Sequence, residues 1–217
     1  MSISLSHSET NSAAEFIPAQ KTLPALRQAV QSCRGCDLYR YATQAVLGEG
    51  PRSSLIVFIG EQPGDEEDRQ GRPFVGPAGR LFDRALEEGG IDRSTVYITN
   101  AVKHFKFEER GKRRIHKKPS ASESRACRPW LEAELAVIRP AIIVCLGATA
   151  AQTVFGPDHR VTKQRGQFVK HIWAPQATST IHPSAILRAP QEQRQLEYQR
   201  FVEDIKNVRA VAKSMQK

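Results

Sequence analysis

Three short stretches carry side chains with more chemistry in them than packing requires. Cys33 and Cys36 stand as C-x-x-C, a spacing that offers two thiols to a redox couple or to a metal. His116 closes Lys112-Arg113-Arg114-Ile115-His116 and is followed by Lys117 and Lys118. Its imidazole is either a nucleophile or base, or a bystander in a basic arm that binds phosphates. His182 opens His182-Pro183-Ser184, and Gly60-Glu61-Gln62-Pro63-Gly64-Asp65 holds two carboxylates and an amide. Carboxylate and imidazole together are the groups of acid–base and electrostatic catalysis.

Those side chains need elements to bring them together. Residues 53–60 (SSLIVFIG) are an apolar run ending in Gly, the pattern of a buried strand that runs into a loop. Residues 95–104 and 140–147 read as a second and third strand, and 177–184 as a fourth that ends at His182-Pro183-Ser184. Helical patterns lie between them. One starts near Pro77 and stops at Gly89-Gly90; another places Leu131, Leu135 and Ile138 at helical spacing. Residues 148–156 form a short helix, and Tyr198, Phe201, Ile205, Val208 and Ala212 mark a last one. Strand–helix alternation predicts a three-layer α/β/α fold around a mainly parallel, four-stranded sheet. Ligands of such sheets bind at the carboxyl ends of the strands. Glu61, Asn100, His104 and His182 all fall there. Residues 1–20 have little to bury and read as a disordered tail, leaving one domain over 21–213.

The chain has 217 residues and a formal net charge of +9, with basic residues crowded into 103–118. Such a surplus attracts polyanions. There is no apolar run of membrane-spanning length and no secretory leader, so a cytoplasmic location is expected, where the four cysteines stay reduced. Cys145 sits inside the apolar run AIIVCLG and reads as a core residue.

Five motifs now stand in order: GEQPGDEED (60–68), GRPFVGPAGRLFD (71–83), TNAVK (99–103), KRRIH (112–116) and HPSAILR (182–188). Over about residues 30–210 they resemble the iron–sulfur (family 4) uracil-DNA glycosylases, and KRRIH is similar to the UdgX-type subgroup, whose complex with uracil-DNA is covalent. The resemblance implies a uracil-DNA glycosylase-like fold and a flipped base held in a pocket. It implies that Asn100 reads the uracil edge, that Phe74 stacks on the base, and that Gly60, Gln62 and Asp65 line the same loop. His182 would stabilise the leaving uracil, with Glu61 beside C1′. His116 would capture the sugar from a loop over about residues 105–119, held by Arg114. The cations Arg113, Arg114, Lys117 and Lys118 would lower its pKa and bound DNA phosphates would raise it, which leaves the net value open, and Lys112, Arg113, Lys117, Lys118 and Ser184 would meet DNA. The family carries a cysteine where this chain has His104, so Cys33, Cys36, His104 and Cys127 are the expected ligands of a [4Fe–4S] cluster; a structural zinc on the same residues is the alternative. The expected partner is uracil-containing DNA, single strands included, and the expected acting unit a monomer. A turning-over glycosylase that uses water, and a non-catalytic iron–sulfur DNA-binding module, remain the other readings.

Overall fold

A run of five residues buried on both faces, Ile56–Gly60 (β1), forms the centre of the fold. The computed structural model describes residues 12–216. In chain order it has α1 (Leu23–Ala29), β1, α2 (Asp65–Gln70), α3 (Pro77–Gly89), β2 (Tyr97–Asn100), β3 (Phe107–Arg110), β4 (Arg113–His116), α4 (Ala121–Ile138), β5 (Ile142–Leu146), α5 (Ala148–Phe155), α6 (Val161–Gln164), β6 (Val169–His171), β7 (Ala174–Thr180), α7 (Pro183–Arg188) and α8 (Gln191–Ser214). The main sheet runs β2-β1-β5-β7-β6. The first four strands of that order pair in parallel, and β6 joins β7 antiparallel at one edge.

The sheet is thus mainly parallel, with helices on both faces and one strand more than the apolar runs announce. β6 has three residues, of which Val169 and Lys170 are exposed. A strand this short and solvated has no apolar run to betray it. Alternate residues of the buried strands feed two cores. Phe58, Ile98, Val144 and Leu146 pack with Phe82, Phe201 and Ile205 on one side. Val57, Ile59, Ile143 and Cys145 pack with Leu131, Leu135 and Val154 on the other. Cys145 is a fully buried core residue.

Register fixes which residues share the functional edge. Gly60 pairs with Asn100, Ile59 with Cys145, and Leu146 with Thr180. The chain therefore leaves β1, β2, β5 and β7 at one level, and Glu61, Asn100, Thr149 and His182 follow or end those strands there.

Three local expectations change. Residues 105–119 are not a loop: β3 and β4 form an antiparallel hairpin with Phe107 opposite His116 and Glu109 opposite Arg114. Its two-residue turn is Gly111-Lys112, and Gly111 takes φ +60°, which glycine adopts without strain. The acidic stretch after Gly64 is a helix, α2, with Asp65, Glu66, Glu67 and Asp68 in its first turn. Negative charge is favourable at that end of a helix dipole, but a helix this short shows no apolar stripe. Finally, residues 1–11 lie outside the described residues, whereas residues 12–20 are placed against the fold. Ala13 is buried and its N–H donates to the Ala126 carbonyl at 2.8 Å, with Phe16 and Ile17 packed beside the cysteine-bearing segment. Two large apolar side chains suffice to dock that stretch. No helix of the described residues is long and apolar enough to cross a membrane.

Candidate active site

Asn100, Phe74 and His182 gather around Gly60, where β1, β2 and β7 end. A methyl group there would lie 2.4 Å from Asn100 Oδ1 and 2.7 Å from the Phe74 ring, so only glycine lets these side chains close over the strand end. Asn100 is 2% exposed, and its Oδ1 has no hydrogen-bond partner. A buried carbonyl oxygen left without a donor costs about 1–3 kcal/mol, so it is a reserved acceptor. Phe74, also buried, adopts φ +56°. That conformation is strained for an aromatic residue by about 1–3 kcal/mol, and strain of this kind gathers at ligand sites.

His182 stands 5.8 Å from Phe74, ring centre to ring centre. Its Nδ1 accepts the backbone N–H of Ser184 at 3.1 Å, and the Ser184 hydroxyl lies 2.8 Å from the same nitrogen. Burial, with Arg188 and His116 nearby, lowers its pKa to about 4. The ring is therefore neutral near pH 7, and with Nδ1 accepting, its proton sits on Nε2. Ser184 accordingly serves His182 rather than standing free.

The hairpin lays His116 over the other side of this edge. His116 Nε2 is 3.3 Å from Glu61 Oε1, and the ring lies 6.1 Å from the Phe105 ring. About half of the side chain (49%) remains accessible. Its pKa is lowered, first by desolvation, against the opposing pull of Glu61 and with help from Arg188. The sequence leaves the net direction open, and burial rather than neighbouring charge sets it. None of the four flanking cations is among the causes: Arg113 and Lys118 are exposed, and Arg114 and Lys117 are paired with carboxylates. Lys117 pairs with Glu108 at 2.5 Å, and Lys112 lies exposed in the turn.

Two side chains expected at the pocket instead hold the hairpin. Gln62 donates to the Lys106 and Lys117 carbonyls at 3.1 and 3.0 Å and accepts from the Lys106 N–H at 3.0 Å, clamping both ends of the hairpin. Both amide hydrogens are committed there, so Gln62 has no donor left for a base edge. Asp65 likewise turns to Arg114, whose Nε lies 2.5 Å from Asp65 Oδ1 and whose Nη1 lies 2.7 Å from Asp68 Oδ2. Arg114 also lies over the rings of Phe105 and Phe107 at 5.5 and 5.0 Å. With its donors so engaged, Arg114 anchors the hairpin to α2 rather than reaching for a phosphate.

Asp68 escaped the sequence reading. It is fully buried and takes, besides Arg114, the backbone N–H and hydroxyl of Thr43 at 3.0 and 2.5 Å. A second missed network lies under Asn100. Lys103 and Glu134, both fully buried, pair at 2.5 Å, and Lys103 Nζ donates to the Asn100 carbonyl at 2.6 Å. Glu134 also accepts from the Gly48 N–H and the Tyr97 hydroxyl, each at 2.8 Å. The ion pair is tolerable in the core because each partner is hydrogen-bonded as well. Only the oddity of a Glu within the apolar stripe of α4 could have signalled it.

Cys33, Cys36 and Cys127 share one buried cluster with Leu26, Val30 and Trp130, and Cys145 lies in another. Trp130 Nε1 donates to Cys33 Sγ at 3.1 Å and the Lys103 backbone N–H to Cys127 Sγ at 3.2 Å. Burial pushes the Cys127 thiol up to about 12, against the pull of Lys103. Buried thiols that already receive N–H donors have the chemistry to ligate an iron–sulfur centre or a zinc ion. His104, in the loop that lies against Cys127, is buried, and desolvation lowers its pKa to about 4, leaving a lone pair free. Among the described residues, no three His, Cys, Asp or Glu side chains close on a single ion. The fit therefore rests on donor chemistry, not on a closed coordination sphere.

Comparison with known proteins converges on one family. Residues 47–206 match the family model described as the Uracil DNA glycosylase superfamily. The Type-4 uracil-DNA glycosylase of Thermotoga maritima is 38% identical over 196 residues, covering 89% of this chain and 96% of that protein. The Type-4 enzyme of Sulfurisphaera tokodaii is 35% identical over 201 residues, covering 88% of this chain and 85% of the relative. A Type-5 uracil-DNA glycosylase of Pyrobaculum aerophilum is 29% identical over 147 residues, or 61% of this chain and 62% of the relative.

Proposed function

The chain belongs to the uracil DNA glycosylase superfamily, and from that premise we propose that it excises uracil from DNA and keeps the emptied sugar covalently on His116, in the manner of the UdgX-type subgroup. The observation that carries the covalent half is the His116–Glu61 contact of 3.3 Å, made by a hairpin pinned at Gln62 and Arg114. A mobile basic arm would need no such pins.

In this reading a flipped uracil lies over Gly60 and against Phe74. The reserved Oδ1 of Asn100 accepts uracil N3–H, and its amide nitrogen donates to O4. Cytosine offers the opposite pattern at both atoms. The C1′–N1 bond breaks with its electron pair leaving on uracil, and His182 Nε2–H donates to O2 as the charge develops. The Glu61 carboxylate faces the positive charge left on the sugar. A ring-nitrogen lone pair of His116 then forms the N–C1′ bond, and the proton on the other ring nitrogen passes to Glu61 and on to uracil. His116 must be neutral to attack, and its lowered pKa supports that at pH 7. Each protein molecule reacts once. Uracil-DNA, single strands included, is the partner; a monomer acts, since every group named comes from one chain. Lys112, Arg113 and Lys118, exposed on or beside the hairpin, would meet phosphates.

Cys33, Cys36, His104 and Cys127 would hold a [4Fe–4S] cluster, which when bound supplies a cross-link between the N-terminal segment and the loop after β2. Cys145→Ala is expected to leave visible absorbance per protein unchanged, and Cys127→Ala to remove it; loss of colour in the Cys145 variant would overturn this ligand set.

Arg114→Ala is expected to slow adduct formation in a single turnover by about 100-fold, the cost of a displaced nucleophile. Arg114→Lys should recover only part, since an ammonium cannot fork to Asp65 and Asp68. A denaturing gel of protein mixed with a uracil-containing oligonucleotide separates the readings. Covalent capture gives a band that survives SDS and heat, hydrolysis gives free uracil and alkali-labile DNA, and a binding module gives neither.

A further inference from the structure

Nothing in the steps above uses Thr149, yet it touches the carboxylate at their centre. Thr149 lies in the first turn of α5, is 5% exposed, and its hydroxyl donates to Glu61 Oε2. The direction of that bond is set, because an ionised carboxylate only accepts. The other oxygen, Oε1, is the one that faces His116. Glu61 follows β1 and Thr149 follows β5, and those two strands are paired neighbours. The bond therefore ties a flexible carboxylate to a rigid sheet edge.

We propose that Thr149 is a positioning residue for Glu61: by holding Oε2 it leaves Oε1 facing the sugar and His116. The proposal rests on the reading that Glu61 works beside C1′. It does not depend on whether water or His116 captures the sugar, because Glu61 faces the developing cation in both cases.

The test compares Thr149→Val, which keeps the bulk and loses the hydroxyl, with Thr149→Ser, which keeps the hydroxyl and loses a methyl. Uracil release is measured in a single turnover, and the same samples are run on a denaturing gel. A hydroxyl that positions Glu61 predicts a rate lowered at least about tenfold in Thr149→Val, the scale of one hydrogen bond to a charged group. Thr149→Ser should stay within about twofold of the parent protein, and affinity for uracil-DNA should be unchanged in both. The reverse pattern, slow serine and normal valine, or equal loss in the two, would overturn the proposal. Should Thr149→Val lose its thermal unfolding transition, Thr149→Ala takes its place: slow alanine with normal serine supports the proposal, and two normal rates overturn it. Uracil release without any adduct in the parent protein would sink covalent capture alone and leave the Thr149 comparison standing.

Discussion

His116→Ser is expected to abolish the SDS-stable adduct while uracil release continues past one equivalent per protein. Serine is too short to reach C1′ from β4, and removing imidazole opens room for water beside Glu61. Glu61 Oε1, freed from its 3.3 Å contact with the ring, can then orient that water. Adduct yield should fall at least about 100-fold, since the proposed nucleophile is gone. Asn100, Phe74 and His182, to which uracil selection is ascribed, lie on other elements, so selection should survive the change. Quantifying adduct on a denaturing gel and uracil by chromatography over many equivalents of DNA reads both outcomes together. An adduct that persists would assign the nucleophile to another group.

Asn100→Asp is expected to lower uracil release by about 1000-fold, because a site built to hydrogen-bond its substrate rejects a mismatched edge strongly. The substitution replaces the donor to O4 with a second acceptor, so carboxylate and O4 repel. It also adds a charge at a position 2% exposed. The preference for uracil over cytosine should narrow, through loss on the uracil side rather than gain on the cytosine side. Single-turnover rates on matched uracil and cytosine oligonucleotides measure it; an unchanged rate would move the pocket away from Asn100.

Much of the frame is legible in the sequence because the parallel strands are continuous apolar runs. Once those are placed, the convergence of Glu61, Asn100 and His182 follows from connectivity alone. What holds these groups in position is another matter. Arg114 meets Asp68 across 46 positions of chain, Thr149 meets Glu61 across 88, and Lys103 meets Glu134 across 31. Each is a pairing of ordinary polar residues, and no local pattern announces it. The hairpin escaped for a related reason: its charged residues hide a two-residue turn at Gly111-Lys112 whose only marker is one glycine. Gln62 and Asp65 lie at the edge their motif indicates, and their side chains bond to the hairpin, a pairing that no local pattern announces. The cause of the His116 shift was likewise invisible, since desolvation depends on packing, while sequence shows only neighbouring charge.

The outcome is a division of labour in KRRIH. Arg114 and His116 share one face of β4, the first anchoring to α2 and the second meeting Glu61. Arg113 and Ile115 alternate to the other face, toward solvent.

Intact-mass measurement of the protein after reaction with a uracil-containing oligonucleotide, followed by fragmentation of the modified peptide, tests the central claim most directly. The account predicts a species with the mass of protein plus oligonucleotide less one uracil, with the sugar attached to His116. Unmodified protein alongside free uracil and an abasic strand would contradict it.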